Sequence, residues 1–208
     1  MNINDLFELQ AKLDAHIEKE HPRQPGEDRL AKKILALQVE LGELCNCWRG
    51  FKFWSEDQKP RTDEPIECET CDGWGSETDP YGICMSSDKC ENCSGTGFVG
   101  SRNPLLEEYV DCLHFILSIG LDINVDTNIN YGMTISRDVT EQFFEVYRDV
   151  LEVKESVEFE FDGVEKYRDL LVPDFLGLGK MLGFTWEQIE QAYLAKNKIN
   201  HLRQELGY

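Results

Sequence analysis

The sequence predicts an all-α fold, a multi-helix bundle with a small zinc-binding insertion. Apolar residues recur at the spacing of amphipathic helices along most of the chain. Two of these stretches, residues 37–48 and 104–119, each carry two carboxylates three positions apart. Between them, residues 63–102 differ in composition and contain a repeated cysteine motif. We therefore expect a helical domain over residues 1–62 and 103–208, with a separate module over residues 63–102.

Length, charge and cysteine content narrow the class of protein. The 208 residues are enough for one sizeable core and a small module. With 21 Lys and Arg against 40 Asp and Glu, the net charge of −19 argues against nucleic-acid binding. The N-terminus lacks a basic segment followed by an apolar run, and no run approaches a membrane span, so we expect a cytoplasmic protein (host cytoplasm if a phage encodes it) without membrane contact. Eight cysteines without an export signal indicate reduced thiols or metal ligands.

The N-terminal region predicts two helices. The first covers residues 5–19, and beside its apolar stripe Gln10 and Asp14 are interpreted from periodicity as surface polar residues. Residues 20–28 contain two prolines and a glycine, which is typical of a loop. The second helix runs from about residue 28 to residue 53 and buries a stripe of leucines.

An aromatic segment, WRGFKFWS, ends this second helix at residues 48–55. Two tryptophans and two phenylalanines lie there beside Arg49 and Lys52. Two interpretations remain open. The rings belong to the core, or they form a flat apolar slot for a nucleobase with a cation directed at a phosphate.

The segment of residues 63–102 predicts a zinc site. Two CxxCxGxG motifs stand eighteen residues apart, counted between their CxxC units, and resemble half of the zinc-binding region of DnaJ-type chaperones. Their four thiolates would complete a tetrahedral Zn²⁺ shell, and closed Cys₄ sites are structural. The ligands would be Cys68, Cys71, Cys90 and Cys93. Cys84 is interpreted as a bystander, and a redox dithiol is the weaker alternative.

The remaining helices follow in order. Asn103 and Pro104 supply a cap residue and a first-turn proline for the helix over residues 104–119. Residues 124–132 predict a loop, and residues 157–161 a short connector. Further helices are expected over residues 137–156, over residues 164–182 with an interruption at Pro173, and from Thr185 to the C-terminus, with Gln188 completing a capping box.

The two carboxylate pairs predict a metal site. Residues three apart share a helix face, so Glu40 with Glu43, and Glu108 with Asp111, form two pairs that meet if their helices pack together. The second helix is apolar almost all round, which makes burial of its carboxylates costly without a cation. An all-oxygen cluster suits Mg²⁺ or Mn²⁺. For the first pair alone, a solvated helix face would be the simpler interpretation.

Two further features suggest substrate contacts. His114 shares a face with Asp111, and it is either a satisfied core histidine or part of the site. Lys196, Asn200 and Arg203 form one polar stripe on the last helix. This stripe is either solvated or, if it faces the carboxylates and their metal ions, suited to grip a polyphosphate.

Three separated blocks of the sequence resemble a known family. Glu40-x-x-Glu43 with Glu108-x-x-Asp111 is similar to the ExxE…ExxD signature of the all-α NTP pyrophosphatase superfamily, the MazG-like proteins. ELGELCNCWRGFKFWS, NPLLEEYVDCLHFILSIG and AYLAKNKINHLRQELGY look like the dimeric all-α dUTPases of phages, some bacteria and trypanosomatids. The 65 positions from Glu43 to Glu108 become 25, a normal spacing in this family, when the 40 residues 63–102 are removed. Those residues therefore look like an insertion.

The resemblance implies an activity and a set of roles. The reaction would be hydrolysis of dUTP, and of dUDP, to dUMP, with attack at the β phosphorus. The four paired carboxylates would bind two or more Mg²⁺ ions, and Glu43 would orient or deprotonate the attacking water. The substrate-binding residues would be Lys196, Asn200, Arg203, Tyr208 and Lys52 at the phosphates, and Gln10, Trp48 and His114 at the uracil and deoxyribose. A homodimer is implied as well.

Two other classes of function stay open beside this one. A related pyrophosphatase acting on dCTP or a modified nucleotide would share the metal chemistry and differ in the base pocket. A helical scaffold whose zinc module binds a protein partner would account for the self-contained insertion.

Overall fold

The structure, a computed structural model, describes residues 2–78, 84–159 and 162–207 and confirms the all-α fold with a cysteine-rich insertion. The helices are α1 (Ile3–Glu20), α2 (Arg29–Trp48), α3 (Pro104–Asp122), α4 (Val139–Glu158), α5 (Gly163–Lys166), α6 (Val172–Met181) and α7 (Trp186–Glu205). The short strands are β1 (Glu64–Glu67), β2 (Ser76–Thr78), β3 (Cys84–Lys89) and β4 (Phe98–Arg102). Within the described residues, no helix is long and apolar enough to cross a membrane.

The chain forms two compact units. One comprises the described residues up to Pro60 and from Leu106 onward, and holds the helices. The other is Arg61–Leu105 and holds the strands. In the helical unit, α1 packs on α7, and α4 packs on α2 and α6. The core is apolar and includes Leu6, Phe7, Leu37, Leu41, Leu44, Leu113, Ile116, Val146, Val150, Phe175 and Leu178.

Capping residues set several helix ends. Asn2 and Asp5 form a capping box at the start of α1, and Thr185 and Gln188 form the predicted one at α7. The prediction that α2 reaches residue 53 is wrong. The helix ends at Trp48 because Arg49 adopts the left-handed conformation, with φ 64°. A Cβ on the following residue, Gly50, would lie 2.3 Å from the Trp48 ring, so the turn requires glycine.

Three later boundaries also differ from the sequence prediction. Helix α3 continues to Asp122, and α4 runs through Glu158 into the segment expected to be a connector. Pro173 does not interrupt its helix. It lies in the first turn of α6, where a missing N–H costs nothing, and the irregularity is a π-helical turn at Tyr167–Leu171. The Tyr167 hydroxyl of that turn donates to the Ile116 carbonyl at 3.0 Å and ties it to α3.

The second unit consists of two antiparallel strand pairs. Strand β1 pairs with β4, Glu64 opposite Arg102, and β2 pairs with β3. Among its described residues, four buried cysteines form one cluster: Cys68, Cys71, Cys90 and Cys93. Because so small a unit has little apolar core, those cysteines carry its internal packing.

Candidate active site

Three of the four predicted carboxylates converge. Glu40 on α2 and Glu108 and Asp111 on α3 each offer an oxygen, and these oxygens lie within 4.8 Å of one another. All three side chains are half-buried. Glu43, one helical turn beyond Glu40, is more exposed and is not one of the three. The helix faces inferred from the three-residue spacing therefore do meet.

Burial and mutual repulsion raise the pKa values of carboxylates in this cluster. Burial, followed by the charges of Asp111, Glu43 and Glu40, raises the pKa of Glu108 to about 7. Burial, then Asp111 and Glu43, also raises the pKa of Glu40. Glu43 therefore acts on both groups, although it stands at the edge of the cluster. A divalent cation would relieve this repulsion, so the cluster fits Mg²⁺ by charge and by ligand type.

A lysine from α7 already supplies one positive charge. The Lys196 ammonium lies 2.5 Å from an Asp111 carboxylate oxygen, and both side chains are mostly buried. Lys196 also opposes the rise in the pKa of Glu40 and of Glu108. Lys196 of the polar stripe therefore contacts the carboxylate cluster directly.

A cavity of about 560 Å³ lies beside this cluster. Its walls come from α1, α2, α3 and α7. Seven residues predicted as site residues line it: Gln10, Glu40, Asp111, His114, Lys196, Asn200 and Arg203. The volume suits a nucleotide-sized ligand.

The inner wall of the cavity is a hydrogen-bonded network. The His114 ring stacks on the Tyr193 ring with centroids 4.1 Å apart. Gln10 Oε1 lies 2.8 Å from His114 Nδ1 and accepts from the Tyr193 hydroxyl, also at 2.8 Å. Burial, and then the charge of Lys196, lowers the pKa of His114 to about 3, so the imidazole is neutral at physiological pH. His114 is therefore buried like a core histidine and also lines the cavity.

Two residues of this wall, Asp14 and Ser118, were not predicted as site residues from the sequence. Asp14 is not a surface residue, because it accepts from Gln10 at 2.7 Å and from the Ser118 hydroxyl at 2.5 Å. Gln10 itself is only 3% exposed. The signal that would have found them is the polar line 111, 114, 118 and 122, which runs down one face of the otherwise apolar α3. A buried polar line of that kind requires partners on a neighbouring helix.

Three predicted substrate residues are elsewhere or undescribed. Trp48 packs with Phe143, ring centroids 5.3 Å apart, and does not line the cavity. Lys52 lies over the Phe51 ring, 5.5 Å from its centroid, and does not line it either. Tyr208 falls outside the described residues. The aromatic segment is divided: Phe53 and Trp54 are exposed, whereas Trp48 packs on the buried Phe143.

The cysteine cluster has the geometry of a metal site. The four Sγ atoms lie within 4.8 Å of one another, with Cys68 to Cys90 at 3.8 Å and Cys71 to Cys93 at 3.7 Å. Zn–S bonds of about 2.3 Å place tetrahedral ligands about 3.8 Å apart, so a zinc ion fits. The backbone N–H of the second glycine in each motif donates to a cysteine sulfur, from Gly75 to Cys71 at 3.2 Å and from Gly97 to Cys93 at 3.3 Å.

Comparisons with known proteins identify the family. A family model described as dUTPase matches residues 2–75 and 99–208, which is most of the chain and leaves out residues 76–98. Comparison with curated proteins found no match, and comparison with solved structures found none. The unmatched residues lie inside the cysteine-rich unit, whereas the carboxylate cluster and the cavity lie in the matched part. The chain therefore belongs to the dUTPase family, the hydrolases of nucleotide metabolism that have dUTP diphosphatase activity.

Proposed function

We propose that this protein hydrolyses dUTP, and also dUDP, to dUMP, with release of pyrophosphate or phosphate. The observation that carries the proposal is the convergence of Glu40, Glu108 and Asp111 beside a nucleotide-sized cavity that Lys196 and Arg203 also line. Phosphoanhydride hydrolysis needs positioned charge more than covalent chemistry, and this arrangement provides it.

The carboxylates would hold two or more Mg²⁺ ions. Glu40, Glu108 and Asp111 offer the clustered oxygens, and Glu43 at the edge would complete the set. Mg²⁺ bound there would polarise phosphate oxygens and lower the pKa of a bound water. The raised pKa of Glu108 supports the proposal, because burial and neighbouring negative charges disfavour its ionised form, which a bound cation would stabilise.

The residues of the chain would share the work of the reaction. Lys196, Asn200 and Arg203 would bind the phosphates from the α7 side of the cavity. Glu43, exposed beside the cluster, would accept a proton from the attacking water. The water oxygen bonds to the β phosphorus while the bond from that phosphorus to the α–β bridging oxygen breaks, and dUMP leaves with the bridging oxygen.

The nucleoside would occupy the inner part of the cavity against Gln10 and His114. Trp48 and Lys52 lie outside the cavity of their own chain, and we propose that a second subunit of a homodimer supplies them. Exposed apolar residues on two of the cavity helices support a dimer: Leu35 and Val39 on α2, and Ile199 and Leu202 on α7.

The insertion, residues 63–102, would be a structural zinc module. Support comes from the closed, buried Cys₄ arrangement, which leaves no open position for a substrate. Its exposed Trp74, 67% accessible, favours the alternative role of this module in binding a protein partner. Deletion of residues 63–102 separates the two: a partner-binding module would leave turnover intact and abolish capture of the partner, whereas a structural module would, when deleted, destabilise the protein.

The deciding experiment measures product release from dUTP, dCTP and dTTP with Mg²⁺ and then with EDTA. Rapid, Mg²⁺-dependent release from dUTP alone would support the carboxylate site and the uracil pocket together. Faster release from dCTP or a modified nucleotide would keep the metal site and reject the base assignment. Release from none of them would reject catalysis and leave a helical scaffold carrying the zinc module.

A further inference from the structure

A directional chain of hydrogen bonds runs along the cavity wall from Asp14 through Gln10 to His114. Gln10 Nε2 lies 2.7 Å from Asp14 Oδ1, and Gln10 Oε1 lies 2.8 Å from His114 Nδ1. A carboxylate only accepts hydrogen bonds, so the amide nitrogen of Gln10 must face Asp14 and its oxygen must face the histidine. In this orientation the Tyr193 hydroxyl also donates to that oxygen, and as a hydroxyl it can accept from the amide instead if the amide turns.

This orientation determines the tautomer of His114. Because Gln10 presents an acceptor, Nδ1 of the neutral imidazole must carry the hydrogen. The other nitrogen, Nε2, is then a lone-pair acceptor. Nε2 is buried and has no hydrogen-bond partner among the residues that the structure describes, although the side chain, only 6% exposed, lines the cavity. A buried acceptor without a partner points to a donor on the ligand.

Asp14 is itself held from the other side. The Ser118 hydroxyl donates to Asp14 Oδ2 at 2.5 Å, and the Lys33 ammonium lies 3.4 Å from the same oxygen. Lys33 also pairs with Asp122 at 2.8 Å. These contacts hold the carboxylate in place from the side opposite Gln10, so it can orient the Gln10 amide.

We propose that Asp14 is a positioning residue which, through Gln10, fixes His114 as a hydrogen-bond acceptor for the nucleoside. The inference rests on the proposed function for the identity of that nucleoside. One candidate donor is the N3–H of uracil, a position where cytosine has an acceptor. The other candidate donor is the 3′-hydroxyl of the deoxyribose. A wall with this polarity would discriminate by hydrogen bonding, which separates substrates more strongly than shape does.

The tautomer is tested by ¹⁵N NMR of the imidazole in the full-length protein without nucleotide. The wild type should show protonated Nδ1 and unprotonated Nε2 for His114 at neutral pH. In Asp14→Leu, Gln10 loses its acceptor and its amide is free to turn, so a large Nε2–H population should appear. Asp122→Asn is the matched control, because it removes a carboxylate from Lys33 without touching Gln10, and it should leave the tautomer unchanged. Protonated Nε2 in the wild type, or an unchanged tautomer in Asp14→Leu, would overturn the proposal.

A charge-conserving exchange provides a rescue. In the double variant Gln10→Glu with Asp14→Asn, the new carboxylate still accepts from His114 and Tyr193, and the new amide donates to it. The double variant should restore the Nδ1–H tautomer if acceptor polarity at position 10 is what matters. A neutral imidazole with Nε2–H and an unprotonated Nδ1 in a folded double variant would contradict the relay. This arm also serves if Asp14→Leu does not fold.

Kinetics then identify the ligand donor. Asp14→Leu should lower kcat/KM for dUTP by about 10- to 100-fold, the range expected for one mispaired buried hydrogen bond. If N3–H is the donor, the preference for dUTP over dCTP should fall by that factor; if the 3′-hydroxyl is, the preference for dUTP over its 3′-deoxy analogue should fall. Both preferences unchanged would overturn the proposal. If the wild type hydrolyses no nucleotide, the proposed function fails, and the NMR result still decides the relay.

Discussion

Glu108 combines the strongest local repulsion with a central place in the carboxylate cluster. Burial and three neighbouring carboxylates raise its pKa to about 7, so its ionised form is disfavoured by the fold. Glu108→Gln should therefore raise the thermal unfolding temperature in EDTA by a few degrees, and lower Mg²⁺-dependent turnover by about 100-fold or more. Scanning calorimetry and a pyrophosphate assay measure the two effects. Glu107→Gln, one position away and outside the cluster, is the control, and a destabilised Glu108→Gln would contradict the account.

Glu43 tests a different part of the site, because it stands exposed at the edge of the cluster. Glu43→Gln keeps the size of the side chain and removes the proton acceptor. We expect turnover to fall by about 100- to 10,000-fold with the fold preserved, the range associated with general bases. Circular dichroism and steady-state kinetics check this. More than a small fraction of wild-type activity would exclude Glu43 as the base.

The same scale shows what sequence reasoning can reach. The three-residue spacing predicted that Glu108 and Asp111 share a helix face, because helix periodicity relates residues within one helix. That Glu40 lies beside them depends on how its helix packs. Helix periodicity gave the wrong environment for Asp14, which partners Ser118 more than 100 positions away. Periodicity contains no information on which helix packs against which. Buried polar pairs between helices therefore become visible only in the tertiary structure.

At the scale of elements, the contact between α4 and α6 buries a carboxyl pair that plays no part in the site. Asp149 is fully buried and Asp174 is 5% exposed, and each has an oxygen without a hydrogen-bond partner. Burial, followed by Asp174, raises the pKa of Asp149 to about 7, against the lowering effect of Arg148. Arg148 also contacts Glu145. We expect Asp149 to retain its proton in the folded protein.

This pair predicts how stability depends on pH. The fold raises the pKa of Asp149 from its ordinary value of 3.8 to about 7, so the folded state retains a proton that the unfolded chain releases. Its contribution to stability is complete below about pH 4 and is lost as the pH rises through about 7. Asp149→Asn should raise the free energy of unfolding at about pH 8 by at least about 1 kcal/mol, one pKa unit's worth, and flatten the slope between these pH values. Urea titrations at a series of pH values measure it.

Glu145→Gln is the matched control for this prediction. It alters a partner of the same arginine, but Glu145 is more exposed than Asp149. It should leave the pH dependence close to that of the wild type. A slope that survives in Asp149→Asn, or that disappears in Glu145→Gln, would show that another group controls it.

Helix ends were less predictable than helix positions. The capping box at Thr185 was readable because it is a local motif. The end of α2 was not, because the apolar pattern continues through the aromatic segment while Arg49 takes the left-handed conformation. The π-helical turn at Tyr167–Leu171 likewise has no local marker. It is stabilised by a hydroxyl contact to α3, 51 positions earlier in the chain.

At the scale of the whole molecule, the two units are stabilised by different physics. The helical unit buries leucine, valine and aromatic side chains, whereas the unit of Arg61–Leu105 buries the four cysteines of its cluster and exposes every residue of β4. The repeated cysteine spacing predicted this difference, because four thiolates at that spacing have one common use. The exact limits of the units were less accessible, since residues 61–62 and 103–105 lack a change in composition.

Because the four cysteines lie in one of the two units, we expect a zinc ion held by them to stabilise that unit. Cys68→Ser removes one ligand from a cluster whose Sγ atoms lie 3.7 and 3.8 Å apart, and so would weaken metal binding there. We expect the variant to lose bound zinc and to become susceptible to proteolysis within residues 61–105, while helical content and dUTP turnover stay within about twofold of the wild type. Zinc analysis, limited proteolysis and circular dichroism measure these effects, and Cys47→Ser, outside the cluster, is the control. Loss of catalysis in a variant that keeps its helical fold would instead show that the zinc unit supports the active site, and the insertion would then belong to the enzyme's mechanism.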